Sequence, residues 1–306
     1  MGRFLVVGSL FCFLTVSLRG GEPVFRIATF NVDNYLATAV GTRPAKLPAG
    51  KAKIRQMILA ARPDVIALQE MGSLAALEEL RQSLEQEGLS YPYWEHVTGY
   101  DTNIHVAVLS RFRIVERRPR TNETFLLFGR RYRVGRGFAE VDIQVNPRYN
   151  FTLISAHLKS KREVGYADQS ELREAEASIL RRLVDQRLAV NPALNLIVLG
   201  DFNDTKDAKT IRTLIGRGRT GLFDTRPIER NGDDQPNMNP RYDPRHIGWT
   251  HFFEKEDTYS RIDYILLSRN MTREWLSNET YVVTAPNWGL ASDHRPIVAG
   301  FVAVEK

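Results

Sequence analysis

Six times along this chain a short apolar run meets a polar group at one of its ends, and that recurrence constrains the fold more than any other feature. Ile27-Ala28-Thr29-Phe30 leads into Asn31 and Asp33, Val65-Ile66-Ala67-Leu68-Gln69 into Glu70, and Phe151-Thr152-Leu153-Ile154-Ser155-Ala156 into His157. Ile197-Val198-Leu199-Gly200 leads into Asp201, Phe202, Asn203 and Asp204. The run Ile262 to Leu267 carries Asp263 near its start, and Ser292-Asp293-His294-Arg295-Pro296 precedes the apolar stretch Ile297 to Val304. Continuous apolar runs of this length read as strands in a sheet interior. Gly200 lets the backbone turn or be approached closely. Oxygen donors grouped at strand ends suit a hard divalent cation and a phosphate. Any one such end is equally an Asx-type turn, but six of them are hard to attribute to independent turns.

Strand-like runs near 24–30, 65–69, 104–109, 138–145, 151–157, 195–200, 262–267, 280–284 and 297–304 alternate irregularly with helical patterns. The pattern predicts helices from Lys51 to Ala61, Leu74 to Glu87, Ser170 to Ala189 and Lys206 to Ile215, the first three stopped by Pro63, Gly88 and Pro192. Such mixing fits an α/β protein with buried sheets and helices outside. Thr225 to Trp249 reads as a long loop, because turn-forming Pro, Gly, Asn and Asp pile up there. Its Arg241, Arg245, His246 and Trp249 either contact substrate or belong to a solvated insertion.

Thr29-Phe30-Asn31, Leu68-Gln69-Glu70, Ser155-Ala156-His157-Leu158-Lys159-Ser160, Gly200-Asp201-Phe202-Asn203, Ser260-Arg261-Ile262-Asp263-Tyr264 and Ser292-Asp293-His294-Arg295-Pro296 form an ordered set. In these motifs the chain resembles the endonuclease/exonuclease/phosphatase superfamily, which includes deoxyribonuclease I, apurinic endonucleases, neutral sphingomyelinases and inositol polyphosphate 5-phosphatases. The resemblance covers about residues 24 to 304. It implies a four-layered α/β/β/α sandwich, a phosphoester hydrolase and a Mg²⁺ or Mn²⁺ cofactor.

The roles it implies follow the motifs. Glu70 would ligate the cation, with Asn31, Asp201, Asn203 and Asp293 as further oxygen donors to metal or phosphate. Asp201 would orient or deprotonate the attacking water, and Asp293 with Asp201 and Asn203 would share a second cation if there is one. His294 would lie against the phosphate with Asp263 fixing its ring. His157, a feature of the deoxyribonuclease I and sphingomyelinase branches, would protonate the leaving oxygen, with Glu95 and Asp101 as candidates for its supporting carboxylate. Asp33, two residues from Asn31, is a candidate outer ligand. Lys159 and Arg111 would hold substrate phosphate, while Lys161 and Arg162 are either part of that cationic rim or a solvated cluster.

Residues 1 to 21 differ in kind from the rest. Arg3 precedes an apolar run from Phe4 to Leu18, the layout of a secretory signal peptide with cleavage after Ser17 or Gly20, or of a retained N-terminal anchor. Residues 22 to 306 would then be the endonuclease/exonuclease/phosphatase domain, and the protein is expected to be secreted or periplasmic. The sole cysteine, Cys12, lies in this leader, so the exported chain would hold no disulfide. Losing Arg3 and Arg19 lowers the formal charge from +6 to about +4, a modest argument for a polyanionic partner. Sequons at Asn122, Asn150, Asn270 and Asn278 would be used only in a eukaryotic source.

The expected activity is hydrolysis of DNA or RNA phosphodiesters, favoured by the leader, the two histidines and the Lys-rich segment after His157. A sphingomyelinase-like phospholipase C acting on membrane lipid is the alternative, with Phe125-Leu126-Leu127-Phe128 or His251-Phe252-Phe253 as a membrane hairpin. A phosphoinositide phosphatase is disfavoured, because Ser260-Arg261-Ile262-Asp263 lacks that branch's signature. A non-catalytic phosphate-ligand binding protein would have lost a ligand or a histidine, and none is missing. No obligate protein partner is evident.

Overall fold

Nearly every central strand of this protein is apolar on both of its faces, which requires something to cover each face of each sheet. The computed structural model describes residues 23–230 and 247–304. The expected leader and Arg241, Arg245 and His246 lie outside the described residues.

Along the chain run β1 (Val24–Tyr35), α1 (Pro48–Ala61), β2 (Val65–Met71), α2 (Leu74–Gln86), β3 (Tyr93–Val97), β4 (His105–Ser110) and β5 (Arg113–Arg117). Next come β6 (Thr124–Leu127), β7 (Arg130–Arg133), β8 (Phe138–Asn146), β9 (Tyr149–His157), α3 (Gln169–Val190), β10 (Leu196–Asp201) and α4 (Lys209–Ile215). The remaining elements are β11 (Phe223–Asp224), β12 (Ile228–Glu229), β13 (His251–Phe253), β14 (Thr258–Ser260), β15 (Asp263–Leu267), β16 (Trp275–Val282) and β17 (Ile297–Val302). They form a seven-stranded sheet, β12-β16-β17-β1-β2-β4-β3, a six-stranded sheet, β11-β15-β10-β9-β8-β5, and two separate hairpins, β13-β14 and β6-β7.

Strand alternation sorts the side chains into three apolar layers. Phe25, Ile27, Val65 and Ala67 of the first sheet meet Phe151, Leu153, Ile197 and Leu199 of the second in a core between the sheets. The opposite faces, with Ala28, Phe30, Ile66 and Leu68, pack under Ile54 and Ile58 of α1 and Leu77 and Leu80 of α2. Ile154, Leu196 and Val198 likewise pack under Leu180, Leu183 and Val184 of α3 and Ile211 and Leu214 of α4. The result is the expected four-layered α/β/β/α sandwich. Side chains cap two of the covering helices: Ser73 accepts from the Ala76 amide at the start of α2, and Asp168 from the Ser170 and Glu171 amides at the start of α3.

Strand direction decides where the chemistry gathers. β1 and β2 are parallel, joined through α1, and β9 and β10 are parallel, joined through α3, so four carboxyl ends point to one edge of the sandwich. β15 pairs antiparallel with β10, and β17 antiparallel with β1, so these two strands begin at that edge. At the far edge the first and last described segments lie side by side, the Ala303 amide donating to the Pro23 carbonyl at 2.9 Å.

The predicted helices form with boundaries shifted by a few residues, the fourth starting at Lys209 rather than Lys206. The strand-like runs omit β3, β5, β11 and β12, which are short or carry exposed residues, β5 burying only Ile114, and they also omit β6-β7 and β13-β14, of which residues 125–128 and His251–Phe253 are expected only as candidate membrane hairpins. The expected strand at 280–284 begins earlier, at Trp275. No helix among the described residues is long and apolar enough to cross a membrane.

Candidate active site

The parallel strands deliver Asn31, Glu70, His157 and Asp201, and the antiparallel strands bring Asp263 and His294 to meet them. Asp201 pairs with His157 on one side and Asp263 on the other. β1 and β2 both break register at the edge, between Asn31 and Tyr35 and between Leu68 and Met71, which aims their side chains out of the ladder. Glu70 and Asn203 adopt left-handed backbone, at φ of 59° and 55°. For Glu this is a strained setting of the kind that clusters at functional sites. Gly200 explains how β10 reaches the edge: at φ 134° a Cβ there would lie 1.9 Å from the Ala156 carbonyl oxygen.

A polar seam just inside the edge fixes the two sheets against each other. Thr29 Oγ1 donates to Gln69 Oε1 at 3.0 Å, and Gln69 Nε2 donates to Ser155 Oγ at 3.3 Å. All three are buried. The polar residues that precede Asn31, Glu70 and His157 thus serve registration.

Asp201 is the hub. Its Oδ2 accepts from Asn31 Nδ2 at 3.0 Å, its Oδ1 accepts from the Asn203 amide at 2.9 Å, and Asn203 Nδ2 stands 3.3 Å from Oδ2. His157 Nε2 lies 3.4 Å and His294 Nε2 3.7 Å from the same Oδ2. His294 Nδ1 meets Asp263 Oδ2 at 2.8 Å, and Ser292 Oγ accepts from the His294 amide while donating to the Asn31 carbonyl. The Glu70 carboxylate accepts from the Asn34 amide and comes within 3.9 Å of His157 Nε2.

Charge is distributed unequally over these groups. Burial pushes Asp201 up to about 7, with Asp263 adding to the rise and His294 and Asn31 opposing it. Burial also raises Glu70, relieved by Arg136 and reinforced by Asp293 and Asp33. Burial alone would depress His294, yet Asp263 and Asp201 hold it protonated well above the usual imidazole range. His157 moves the other way: burial and the nearby cations Arg136 and His294 keep it neutral. Burial would also raise Asp293, but a hydrogen bond from His251 and the charges of His294 and His251 outweigh it and hold the carboxyl at about 2.

Among the described residues, two sets of side chains bring metal-competent atoms within 4.8 Å of one another: His251, Asp293 and His294, and Asp201, Asp263 and His294. A protonated His294 repels a cation, so the second set is better read as an imidazolium held between two carboxylates. Asp33 and Asp293 both act on Glu70 through space, and with the Asn31 amide oxygen nearby these acidic groups match the oxygen chemistry of a hard divalent ion. The residues present fit such a cofactor.

The remaining expected residues divide. Lys159 follows His157, and burial and Arg136 lower its ammonium to about 8 while its Nζ donates to the Ser160 and Arg162 carbonyls. Asp33 is paired with Lys46 at 3.0 Å. Arg111 is not at the site: it follows β4, which runs antiparallel to β2 and ends beside Val65, and its Nη1 donates to Asp64 at 2.7 Å. Five residues of strand, about 16 Å, separate that end from Glu70. Neither candidate partner of His157 supports it. Glu95 pairs with Arg117, Asp101 pairs with Arg43 and Arg136, and His157 Nδ1 is buried without a hydrogen-bond partner among the described residues.

Arg136 and His251 are at the site although the sequence reading assigns neither of them there. Buried Arg136 donates to the Leu158 carbonyl at 3.1 Å and acts on both Glu70 and His157. The signal for it is the Gly135-Arg136-Gly137 triplet, since Gly137 takes φ 68° and a Cβ on Gly99 would lie 2.4 Å from the Arg136 carbonyl carbon. The His251 ring packs tilted against that of His294, with centroids 4.6 Å apart, and stands 3.5 Å from Asp293.

Solved structures with the same fold include the human Nocturnin catalytic domain with bound sulfate anion, at 17% identity and TM-score 0.62, covering 92% of this chain and 96% of that one. Sphingomyelinase C from Streptomyces griseocarneus aligns at 18% identity and TM-score 0.59 over 91% of this chain and 99% of its own. A doubly substituted mutant of beta toxin from Staphylococcus aureus, with bound magnesium ions, aligns at 18% identity and TM-score 0.58 over 90% of this chain and 99% of its own. A comparison with curated protein sequences gives no match. The model of the Endonuclease/Exonuclease/phosphatase family matches residues 28–294, which spans the strands and the edge residues described above, and the chain belongs to that family of phosphoester hydrolases.

Proposed function

We propose that this protein is an exported, divalent-metal-dependent phosphodiesterase that hydrolyses nucleic acid. The observation that carries the hydrolytic reading is the pairing of a proton-bearing His294, clamped by Asp263, with an Asp201 poised near neutrality 3.7 Å away. Two titratable groups pushed to opposite protonation states are what acid–base chemistry at neutral pH requires.

In this reading Glu70, with Asn31 and Asp293, holds a Mg²⁺ or Mn²⁺ ion, which when bound neutralises charge on the phosphoryl oxygens. Asn31 and Asn203 position the phosphate through their amides, and Asp201 orients a water and takes its proton. His294 faces the phosphate as imidazolium, stabilising developing charge. His157, neutral and fully enclosed, positions Asp201 and Glu70, so the proton donor assigned from the resemblance is better supplied by His294. Arg136 and Lys159 add fixed positive charge for a polyanion.

The magnesium-bound beta toxin structure supports the cofactor, and the family's nuclease members support the substrate class. A lipid phosphodiester is the second reading, favoured by the likeness to sphingomyelinase C and by the exposed Leu126 and Phe128. Residues 1 to 21 supply the export signal in this reading.

Purified protein incubated with Mg²⁺ and supercoiled plasmid, single-stranded DNA, RNA or sphingomyelin vesicles tests it, with Asp201→Ala protein as the blank. Cleavage of nucleic acid that disappears in the variant is the expected result. Hydrolysis confined to sphingomyelin would move the substrate to lipid, and no turnover of any of the four would sink the phosphodiesterase reading.

A further inference from the structure

The β6-β7 hairpin closes through a two-residue turn, Phe128-Gly129, with both residues at positive φ, 50° and 75°. That is the backbone pattern of a type I′ turn, whose first central position normally holds Asn, Asp or Gly. A phenylalanine there is strained and recovers nothing by packing, because 80% of it is exposed. Nothing within the described chain accounts for its presence.

The rest of the hairpin indicates the chemistry of a contact it could make. One face is anchored: Phe125 is buried against α3 and stacks on Tyr132, which stacks on Tyr166 at 6.0 Å. The opposite face carries Leu126 across from Arg131 and Thr124 across from Arg133. Leu126 is 66% exposed, and Arg130, Arg131 and Arg133 are exposed as well. No acidic residue occurs from Thr124 to Arg136, and none of the three arginines has an ion-pair partner among the described residues. At the hairpin foot the Arg133 guanidinium lies 5.4 Å over the ring of Tyr100, itself two-thirds exposed.

This surface is continuous with the active site. The chain passes from Arg133 through Val134 and Gly135 to Arg136, and the Asp101 amide donates to the Gly135 carbonyl at 2.7 Å. Tyr100 is thereby fixed beside the arginine that faces Glu70 and His157. Arg136, which acts on Glu70 and His157, is thus connected through Gly135 and the Tyr100–Arg133 contact to the hairpin that carries Arg131 and Phe128.

We propose that Tyr100, Phe128 and the hairpin arginines form a track for the nucleotides flanking the cleaved bond, and that this track selects single-stranded nucleic acid. The inference rests on the nuclease reading of the site. Unpaired bases present faces that stack on aromatic rings, and the phosphates between them reach the interleaved arginines. A membrane is the less suitable occupant: an inserting hairpin needs a contiguous apolar tip, whereas Leu126 and Leu127 each face an arginine directly across the ladder.

Steady-state kinetics on a 15-nucleotide single strand and on the duplex of the same sequence test the track with Phe128→Ala, Phe128→Asn, Tyr100→Ala and Arg131→Gln. Each aromatic loss should raise KM for the single strand about fivefold to a hundredfold with kcat retained, and the duplex should be affected less. Arg131→Gln should lower the slope of log affinity against log salt by about 0.7. Phe128→Asn separates binding from folding, because Asn suits the turn: its Tm should equal or exceed that of the wild type while its KM rises. Unchanged KM in every variant would remove the track and leave the nuclease reading in place. Absence of any cleavage by wild-type protein would overturn the nuclease reading and the track together. Loss of binding to phosphatidylcholine–phosphatidylserine vesicles in the Phe128 variants, with KM for the oligonucleotide unchanged, would overturn the track in favour of a membrane contact.

Discussion

Asp201 and His294 share one buried network, yet their proton affinities are displaced in ways that set a pH window. Burial lifts Asp201 to about 7, so it is protonated below that value and ionised above it. A base must be ionised, so kcat/KM should climb with pH through this range. His294 stays an imidazolium to well above the usual imidazole range, so the rate should fall only when pH passes its raised value. The predicted profile is a bell whose acid limb belongs to Asp201, shifted lower when the cation is bound. Asp201→Asn should cut kcat/KM by about a hundredfold to ten-thousandfold and flatten that limb. A wild-type acid limb in the variant would show that another group titrates. Legibility at this scale followed the local pattern. Asn31, Glu70, His157 and Asp201 each end an apolar run and could be read directly, whereas Arg136 and His251 follow none, and their place depends on loops whose course no periodicity records.

Among the elements, the approach of β10 to β9 is the least forgiving contact. A methyl group on Gly200 would sit 1.9 Å from the Ala156 carbonyl oxygen and would also fix a side chain at φ 134°. Overpacking and backbone strain together put the cost of Gly200→Ala at about 3–5 kcal/mol, a fall in Tm of about 10 °C that thermal denaturation would register. A Tm within about 2 °C of the wild type would mean that the strands separate more easily than this geometry allows. Strand polarity also explains the wrong placement of Arg111. A polar residue following an apolar run reaches the site only if its strand runs toward the site, and β4 runs away from it. Nothing local distinguishes Val106-Ala107-Val108-Leu109 from Ile197-Val198-Leu199, since both are buried on both faces. Asp263 is the converse: it opens a strand that starts at the edge, so the apolar run it heads marks its place while the family motif supplies its role.

For the molecule as a whole, the catalytic edge concentrates negative charge. Asp33 and Asp293 both act on Glu70, and burial already disfavours the charged form of Glu70. A divalent ion that binds there and not to the unfolded chain should stabilise the fold by about 2.7 kcal/mol at a hundred times its Kd. Calorimetry with Mg²⁺ added after chelation should show a Tm rise of about 5–10 °C. Glu70→Gln should abolish most of that rise while leaving the metal-free Tm equal to or above the wild-type value, and an undiminished rise would place the ion elsewhere. The path of β1 has a further consequence. It starts at Val24, next to the Pro23 carbonyl that accepts from the Ala303 amide, and runs to Asn31. Both ends of the described chain therefore leave from one pole of the sandwich, and hydrolysis takes place at the other, about 25 Å away. A surface or domain joined directly at Pro23 or Val304 would lie behind the enzyme, with the catalytic edge facing outward.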